Sequence, residues 1–586
     1  MSIPRRMLPG TDAPWAWPAP WMRQWQRTWL HGDLSAGVVV AVMLVPQSLA
    51  YATLAGLPAQ AGLLASLLPL LAYALFGSSA SLSVGPGSIT SLMVAQALVP
   101  LAQGSVGRYA AMAAFLALAS GLLMLLMGVL RMGFLSQLLS RPVVQGFTVA
   151  SALLILLGQL APLLGWPALG YTLPDMVPAV AVQFGHDMAG LKGDAIVGGA
   201  SLLMLACGQP LTSALARVLR LAPTTSAVWL KLWPVAVLVA AAWLAKGLST
   251  HEGLSAALVG QVSLGSPLAS VSSAFWQALR LSDLRDLFAP TVLLALVGFV
   301  SSVSVAQTFA MKHGERIDAD RELLGLGLAN VGSTVLGGLP VTGGLSRSVV
   351  NEAAGARSPL AGVISALLLG AALPLLMPLL AWLPKAALAA VIIYAIANLV
   401  ELGSLRAAWR YERTEGWAFV STALGVLFIG FEAGLGLGMA WSMAAMIWRH
   451  SQPHVAEVGR LPGTSHFRNV ARHEVETLPD TVFVRVDESL DFTNVQRVEL
   501  KFCELVHGRA GASKVVLLLS AVNHIDHTAA QTLLALDEAL ADQGKTLHLA
   551  EIKGPVMDRL KAAGMDIRFA GRQHLSAQQA WDALVA

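Results

Sequence analysis

Cysteine is nearly absent: the two that occur, Cys207 in a hydrophobic run and Cys503 in a polar one, exclude a disulfide framework and a cysteine-based zinc site. Charge is scarce too. Only 12% of the 586 residues are Asp, Glu, Lys or Arg, against 55% hydrophobic and a mean hydropathy of +0.65, which excludes a soluble globular chain. No Walker loop, nucleophile elbow or pair of catalytic carboxylates appears, so the sequence argues against ATP-driven transport, covalent catalysis and enzymes generally, and no cofactor is expected. The thirteen histidines include His524 and His527 but no i, i+4 pair with a third acidic ligand, so no metal site is expected either. The net charge of +4 and pI near 9.1 come without a basic patch interleaved with stacking aromatics, which leaves anionic lipid headgroups, not nucleic acid, as the partner of that charge.

What is present is a series of apolar runs long enough to span a bilayer: 34–52, 57–76, 109–130, 142–164, 195–216, 231–246, 289–310, 321–337, 359–383, 386–402 and a long pair within 416–448. With two interrupted segments at 82–98 and 336–352 this predicts about fourteen passes. Basic residues gather on one side: Arg5, Arg6, Arg23, Arg27, Arg131, Arg141, Arg217, Arg220, Lys231, Lys312, Arg316, Arg321, Arg406, Arg410, Arg413 and Arg449. The other side has mainly Arg108, Lys192, Lys246, Arg280, Arg285 and Lys385, so both termini are expected in the cytoplasm. Trp15, Trp17, Trp21, Trp25 and Trp29 mark residues 1–33 as a cytoplasmic segment that hugs the interface, without the apolar core of a signal peptide.

Apolar runs stop near Ser451-Gln452-Pro453, dividing a membrane domain at 34–450 from a polar domain at 451–586. In the latter, strand-length runs at 481–486, 515–519 and 546–551 alternate with helical patterns at 495–507, 528–542 and 555–563, predicting a small α/β domain with a largely parallel sheet. The expected fold class is therefore a polytopic α-helical membrane protein with a C-terminal α/β domain.

The interrupted segments carry the chemistry. One reads Ser83-Val84-Gly85-Pro86-Gly87-Ser88-Ile89-Thr90-Ser91, the other Leu339-Pro340-Val341-Thr342-Gly343-Gly344-Leu345-Ser346-Arg347-Ser348. Each predicts a short extended piece followed by a helix that starts partway across the membrane, with unpaired N–H groups and a positive dipole end at the midplane. Each half, 34–246 and 289–448, places its broken segment after an uninterrupted pair of spans, which suggests two inverted repeats with the breaks at their interface. Facing half-helix starts suit an anion. Candidate ligands are Ser88 and Ile89 on one and Leu345, Ser346 and Arg347 on the other; an arginine at membrane depth costs about 2.5–3.5 kcal/mol on insertion scales and demands a function or a route to the interface. Gln47, an intramembrane amide, needs a partner, either a neighbouring helix or an occupant. Tyr51, one turn later, either faces that occupant or packs.

Several motifs fall in order along the chain: Val45-Pro46-Gln47-Ser48-Leu49-Ala50-Tyr51-Ala52, Val84-Gly85-Pro86, Glu322-Leu323 through Gly327-Leu328-Ala329-Asn330, and Pro340 through Ser348. Together they resemble the SulP anion transporters, the group of bacterial and plant sulfate permeases, cyanobacterial bicarbonate transporters and the solute carrier family that includes prestin. The run Leu519-Ser520-Ala521-Val522-Asn523-His524-Ile525-Asp526-His527-Thr528-Ala529 resembles the strand-to-helix signature of a STAS domain.

The resemblance implies a seven-plus-seven inverted repeat of core and gate domains, elevator-like motion, a homodimer, and secondary transport of a small oxyanion in a bacterial inner membrane. Sulfate comes first, with bicarbonate, a C4-dicarboxylate or uncoupled exchange or channel activity as alternatives. It places Gln47 beside the anion, and its aromatic residue at the position of Gly87 is replaced here by a glycine expected to leave that wall open. Many sulfate-type members carry a glutamate, the carrier of the coupling proton, where Ser301 stands. That departure leaves open a proton or sodium as partner, uncoupled exchange, or replacement of a natural glutamate. Thr528 aligns with a phosphorylatable serine of soluble STAS proteins and is equally placed to cap its helix. Glu352 and Glu432 remain as membrane-edge carboxylates with cap or loop roles expected.

Overall fold

The computed structural model describes residues 20–585 apart from 103–104, 138–139, 187–192, 209, 211–222, 251–253, 261–276, 278, 398–401 and 510. Arg5, Arg6, Trp15, Trp17, Lys192, Arg217, Arg220, the end of the predicted span 195–216 and the Glu432 side chain lie outside the described residues. Two compact units are present, Met1–Ser442 and Met443–Ala586.

In the first unit the element order of one half recurs in the other. Helix Leu30–Leu54, the pair Ala59–Leu64 and Leu68–Phe76, strand Val84–Gly85, half-helix Ser88–Ala102 and helix Val106–Val129 correspond to Phe288–His313, Ala319–Val335, Thr342–Gly343, Leu345–Ala353 and Leu360–Leu380. These elements form one bundle, with Ala319–Val335 against Val106–Val129 and Leu68–Phe76, and Leu360–Leu380 against Leu30–Leu54. Small residues allow the approach: a Cβ on Gly121 would lie 2.8 Å from the Gly327 carbonyl oxygen, and one on Gly327 2.9 Å from that of Gly121. The remaining helices make a second bundle, where Arg141–Gly158 packs on Arg413–Phe428 and Gly193–Ala206 on Lys385–Ala397. These two bundles are the core and gate of the expected fold class. Among the described residues five helices are long and apolar enough to cross a membrane by themselves, and five shorter apolar helices accompany them.

One span expected to be uninterrupted is not. Between Ala59–Leu64 and Leu68–Phe76 the Ser66 and Leu67 N–H groups bond three residues back, to Leu63 and Leu64, and Pro69 has no N–H with which to reach Ala65. The Ser66 hydroxyl covers the break by donating to the Gly62 carbonyl at 2.9 Å. The connection 165–194 carries helix Leu173–His186.

The second unit is a six-stranded sheet in the order Phe467–Asn469, Val455–Arg460, Thr481–Val486, Lys514–Leu518, Thr546–Ala550, Gln573–His574. The last four run parallel and the first two antiparallel. Val482, Val484, Val486, Val515 and Leu517 bury one face with Phe502, Leu533 and Leu536; Phe483, Val516 and Leu518 bury the other with Trp581. Coverage of both faces explains why the central strands are continuous apolar runs. The two antiparallel strands and the two-residue last strand were not expected, being short or polar at alternate positions. Helix His527–Asp542 is capped by Asp526, whose carboxylate accepts the Ala529 N–H at 2.8 Å, so Thr528 is an exposed residue of the first turn and not the cap.

His548 on the sheet lies 3.2 Å from His574, ring on ring, and burial followed by the charges of His574, Arg572 and Lys514 pushes its pKa down to about 4. A base with a depressed folded pKa gives stability that is complete above its unfolded value of about 6.5 and lost as pH falls toward 4. His548→Phe is therefore expected to flatten the thermal stability of the second unit across that window, and unchanged acid sensitivity in a melting series would contradict it.

Candidate functional site

The two strands of the first unit pair antiparallel, Val84 opposite Gly343 and Gly85 opposite Thr342, forming a two-residue bridge inside the core bundle. Polar side chains hold it. The Gly343 N–H donates to Ser302 Oγ at 2.8 Å and the Ser83 N–H to Ser348 Oγ at 3.0 Å. Asn330 pairs its amide with both backbone groups of Val341, at 2.9 and 3.0 Å, as a neighbouring strand would.

Glu322 lies eight residues before Asn330 on the same helix face, fully buried, and clamps the other lead-in segment. Its carboxylate accepts from Tyr73 Oη at 2.9 Å, Ser78 N at 2.8 Å, Ser78 Oγ at 2.7 Å and Ser79 N at 3.2 Å. The sequence reading took Glu322 and Asn330 only as pieces of a motif. Two buried polar residues eight apart on an apolar helix were the available signal.

Immediately after each strand a half-helix begins. The Ser91 N–H bonds back to Gly87 at 3.0 Å and that of Ser348 to Gly344 at 2.9 Å, so the N–H groups of Ser88, Ile89 and Thr90, and of Leu345, Ser346 and Arg347, precede the first intrahelical bonds. Both starts face one cavity of about 260 Å³. Gln47, Tyr51, Gly87, Ser88, Ile89, Ser301, Leu345, Ser346 and Arg347 all line it, together with Thr90, Ser304 and Thr342; of these three, the role of Thr342 was not read from the sequence. Val144, Thr148 and Ala395 close it from the gate bundle. Thr528 belongs to the second unit.

Arg347 decides the electrostatics. Its side chain is 2% exposed, with Nη1 donating to the Pro86 carbonyl at 2.5 Å and Nη2 to that of Thr342 at 3.4 Å. Its Nε has no partner, and among the described residues no carboxylate pairs with it. The buried Gln47 side-chain oxygen is likewise unpartnered. A buried cation without a counter-ion and an unsatisfied amide on one cavity wall leave polar capacity for an occupant.

The wall at Gly87 is not open as expected. A Cβ there would stand 3.0 Å from Thr342 Oγ1 and 3.2 Å from Thr90 Oγ1, so two hydroxyls already fill the space. Glu352, expected as a cap or loop residue, pairs with Lys312 at 2.7 Å and His313 at 3.2 Å; with Lys312 exposed this contributes little.

The profile of the sulfate permease family matches residues 30–422, and that of the STAS domain matches 472–578. The chain belongs to the sulfate permease family. It is 33% identical over 557 residues to a probable sulfate transporter of Mycobacterium tuberculosis, covering 95% of each chain. It is 32% identical over 549 residues to probable sulfate transporter 4.2 of Arabidopsis thaliana, covering 91% of this chain and 78% of the plant protein. In structure it is similar to murine solute carrier 26 family member A9, an anion transporter, with a TM-score of 0.83 at 21% identity over 97% and 93% of the two chains. The transmembrane domain of a cyanobacterial bicarbonate transporter gives 0.58 at 22% identity over 70% of this chain and 97% of that one. These structural likenesses, at such identities, establish the fold. Members of the family are transporters and not enzymes, and this multi-pass chain is one of them.

Proposed function

We propose that the chain is a secondary transporter of a small oxyanion, sulfate first, and that the anion sits in the cavity between the half-helix starts. The observation that carries this is Arg347, buried without a counter-ion where two sets of unpaired N–H groups converge. Sulfate entering the cavity loses water, and the N–H groups, the Ser88 and Ser346 hydroxyls and the Gln47 amide replace it, while Arg347 and the two dipole ends compensate its charge. At about 260 Å³ the cavity suits a small ion with a few waters.

Nearly all of the wall belongs to the core bundle, and only Val144, Thr148 and Ala395 belong to the gate. A core that slides against the gate carries the site with it, which supports elevator-like alternating access. The basic residues favour both termini and the STAS domain, residues 451–586, in the cytoplasm of a bacterial inner membrane; the family resemblance favours a homodimer. A second reading, uncoupled exchange or a passive channel, is favoured by Ser301, a hydroxyl on the cavity wall that does not titrate at physiological pH.

Proteoliposomes loaded with radiolabelled sulfate, bicarbonate or succinate, with and without imposed proton and sodium gradients, test these readings. Saturable counterflow of sulfate is the expected result; unitary currents would replace the carrier by a channel, and no movement of any of the three anions would end the proposal. Ser301→Glu is expected to make uptake more strongly accelerated by an acidic exterior than in the wild type. Identical pH profiles would remove Ser301 from the coupling position.

A further inference from the structure

The central cavity does not end the polar path. About 9 Å farther along helix Leu30–Leu54, six residues past Gln47, Thr53 and Leu54 enter the wall of a second cavity. Leu92 and Ala95, one to two turns beyond Ser88 on the first half-helix, line it as well. Its volume is about 450 Å³, and an adjoining cavity of about 390 Å³ shares Thr53, Leu54, Gly56, Gln159, Pro162 and Lys385 with it. Both lie toward the ends of the spans opposite to the arginine-rich side.

Two of the shared residues are incomplete within the protein. Gln159 lies within the continuous helical stretch Arg141–Leu164, its N–H bonded to the Ile155 carbonyl at 2.9 Å; it is 7% exposed, and among the described residues its side-chain amide has no hydrogen-bond partner. An amide on a cavity wall without a partner in the protein is free to meet an occupant or water. Lys385 is exposed at the start of helix Lys385–Ala397, and among the described residues no carboxylate pairs with it. Asp194 lines only the larger cavity, and its Oδ1 already accepts the Ala257 N–H at 2.9 Å. Of the six residues common to the two cavities, Lys385 is the charged one and Gln159 offers an amide donor, while the Thr53 hydroxyl already donates to the Ala50 carbonyl.

We propose that these cavities form an outer station where a partly hydrated oxyanion is held by the Lys385 ammonium and the Gln159 amide before it reaches the half-helix site. This rests on the transport function proposed above. The station raises the local concentration of anion at the mouth of the path and so acts on capture, not on the saturated rate.

Sided proteoliposomes of the full chain test it, with sulfate as the probe and initial uptake measured against outer sulfate at two ionic strengths. Lys385→Gln and, as an independent variant, Gln159→Glu are expected to raise the apparent KM for outer sulfate about three- to tenfold with the saturated rate unchanged. Lys385→Arg is expected to stay near wild type, and the KM should respond less to salt in Lys385→Gln than in the wild type. Sulfate affinity of the detergent-purified protein should be the same in Lys385→Gln and wild type. Unchanged outer KM in both variants, as when Gln159 holds only water, overturns the station while leaving the central site untouched. Normal sulfate binding in Arg347→Ala, alongside a raised KM in Lys385→Gln, overturns the central site and supports the station.

Discussion

Arg347→Ala is expected to weaken sulfate binding to the purified protein by about 1.5–3 kcal/mol, roughly ten- to 150-fold, the range of a charge-assisted hydrogen bond. The substitution removes a buried charge that has no counter-ion among the described residues, and it removes Nε, the atom left without a partner. It also frees the Pro86 carbonyl, which Nη1 holds at 2.5 Å, so some loss of stability accompanies it. The two effects separate by ligand-induced stabilisation: sulfate should raise the melting temperature of the wild type and leave that of the variant unmoved at the same concentration. Arg347→Lys keeps the charge but loses the planar fork, and is expected to fall between the two. Equal sulfate affinity in wild type and Arg347→Ala would remove the anion from this cavity.

Much of the site was legible because its parts are local. Glycine and proline in Ser83–Ser91 and Leu339–Ser348 interrupt apolar runs where a membrane helix should be regular, and an interrupted helix exposes backbone donors. Gln47 and Arg347 stood out as polar residues inside apolar runs, and Ser301 only through the resemblance to the family. What holds the site is not local. Glu322 is 249 residues from its partner Tyr73 in sequence, and nothing in the pattern around either residue names the other. The wall at Gly87 was misjudged for the same reason, because one of the hydroxyls that fill it belongs to Thr342 in the other half of the chain. The break between Leu64 and Leu68 was hidden by uniform hydrophobicity, although Pro69 stands at its end. In the STAS domain the buried parallel strands announced themselves as apolar runs. The antiparallel strand Val455–Arg460, with half of its residues less buried, did not.

Glu322→Leu is expected to be among the most destabilising substitutions available in the membrane unit, at about 3–5 kcal/mol, since several buried donors each lose their acceptor at a cost of about 1–3 kcal/mol, partly relieved by relaxation. The carboxylate is the common acceptor for the Tyr73 hydroxyl, the Ser78 hydroxyl and the Ser78 and Ser79 N–H groups. Leucine fills a similar volume yet leaves these donors buried without acceptors, and backbone donors in the interior of a membrane protein have no water to turn to. Glu322→Gln retains one oxygen but turns an NH₂ group toward the same donors, so it should recover only part of the loss. Because Ser78 and Ser79 lead directly into Val84–Gly85, the damage should reach the anion site: sulfate affinity falls in Glu322→Gln even where the protein stays folded. Asp33 supplies a comparison of the same chemistry elsewhere, accepting from Arg357 N at 2.7 Å and Ser358 N at 3.0 Å in a turn beyond the second half-helix. Asp33→Asn is expected to lower the melting temperature with less effect on affinity, since the turn that it holds follows its half-helix instead of leading into the bridge. Melting curves and sulfate titrations on detergent-purified variants decide the matter. A Glu322→Gln protein as stable as wild type, or one that melts early but binds sulfate with full affinity, would show that the clamp does not set the geometry of the half-helix starts.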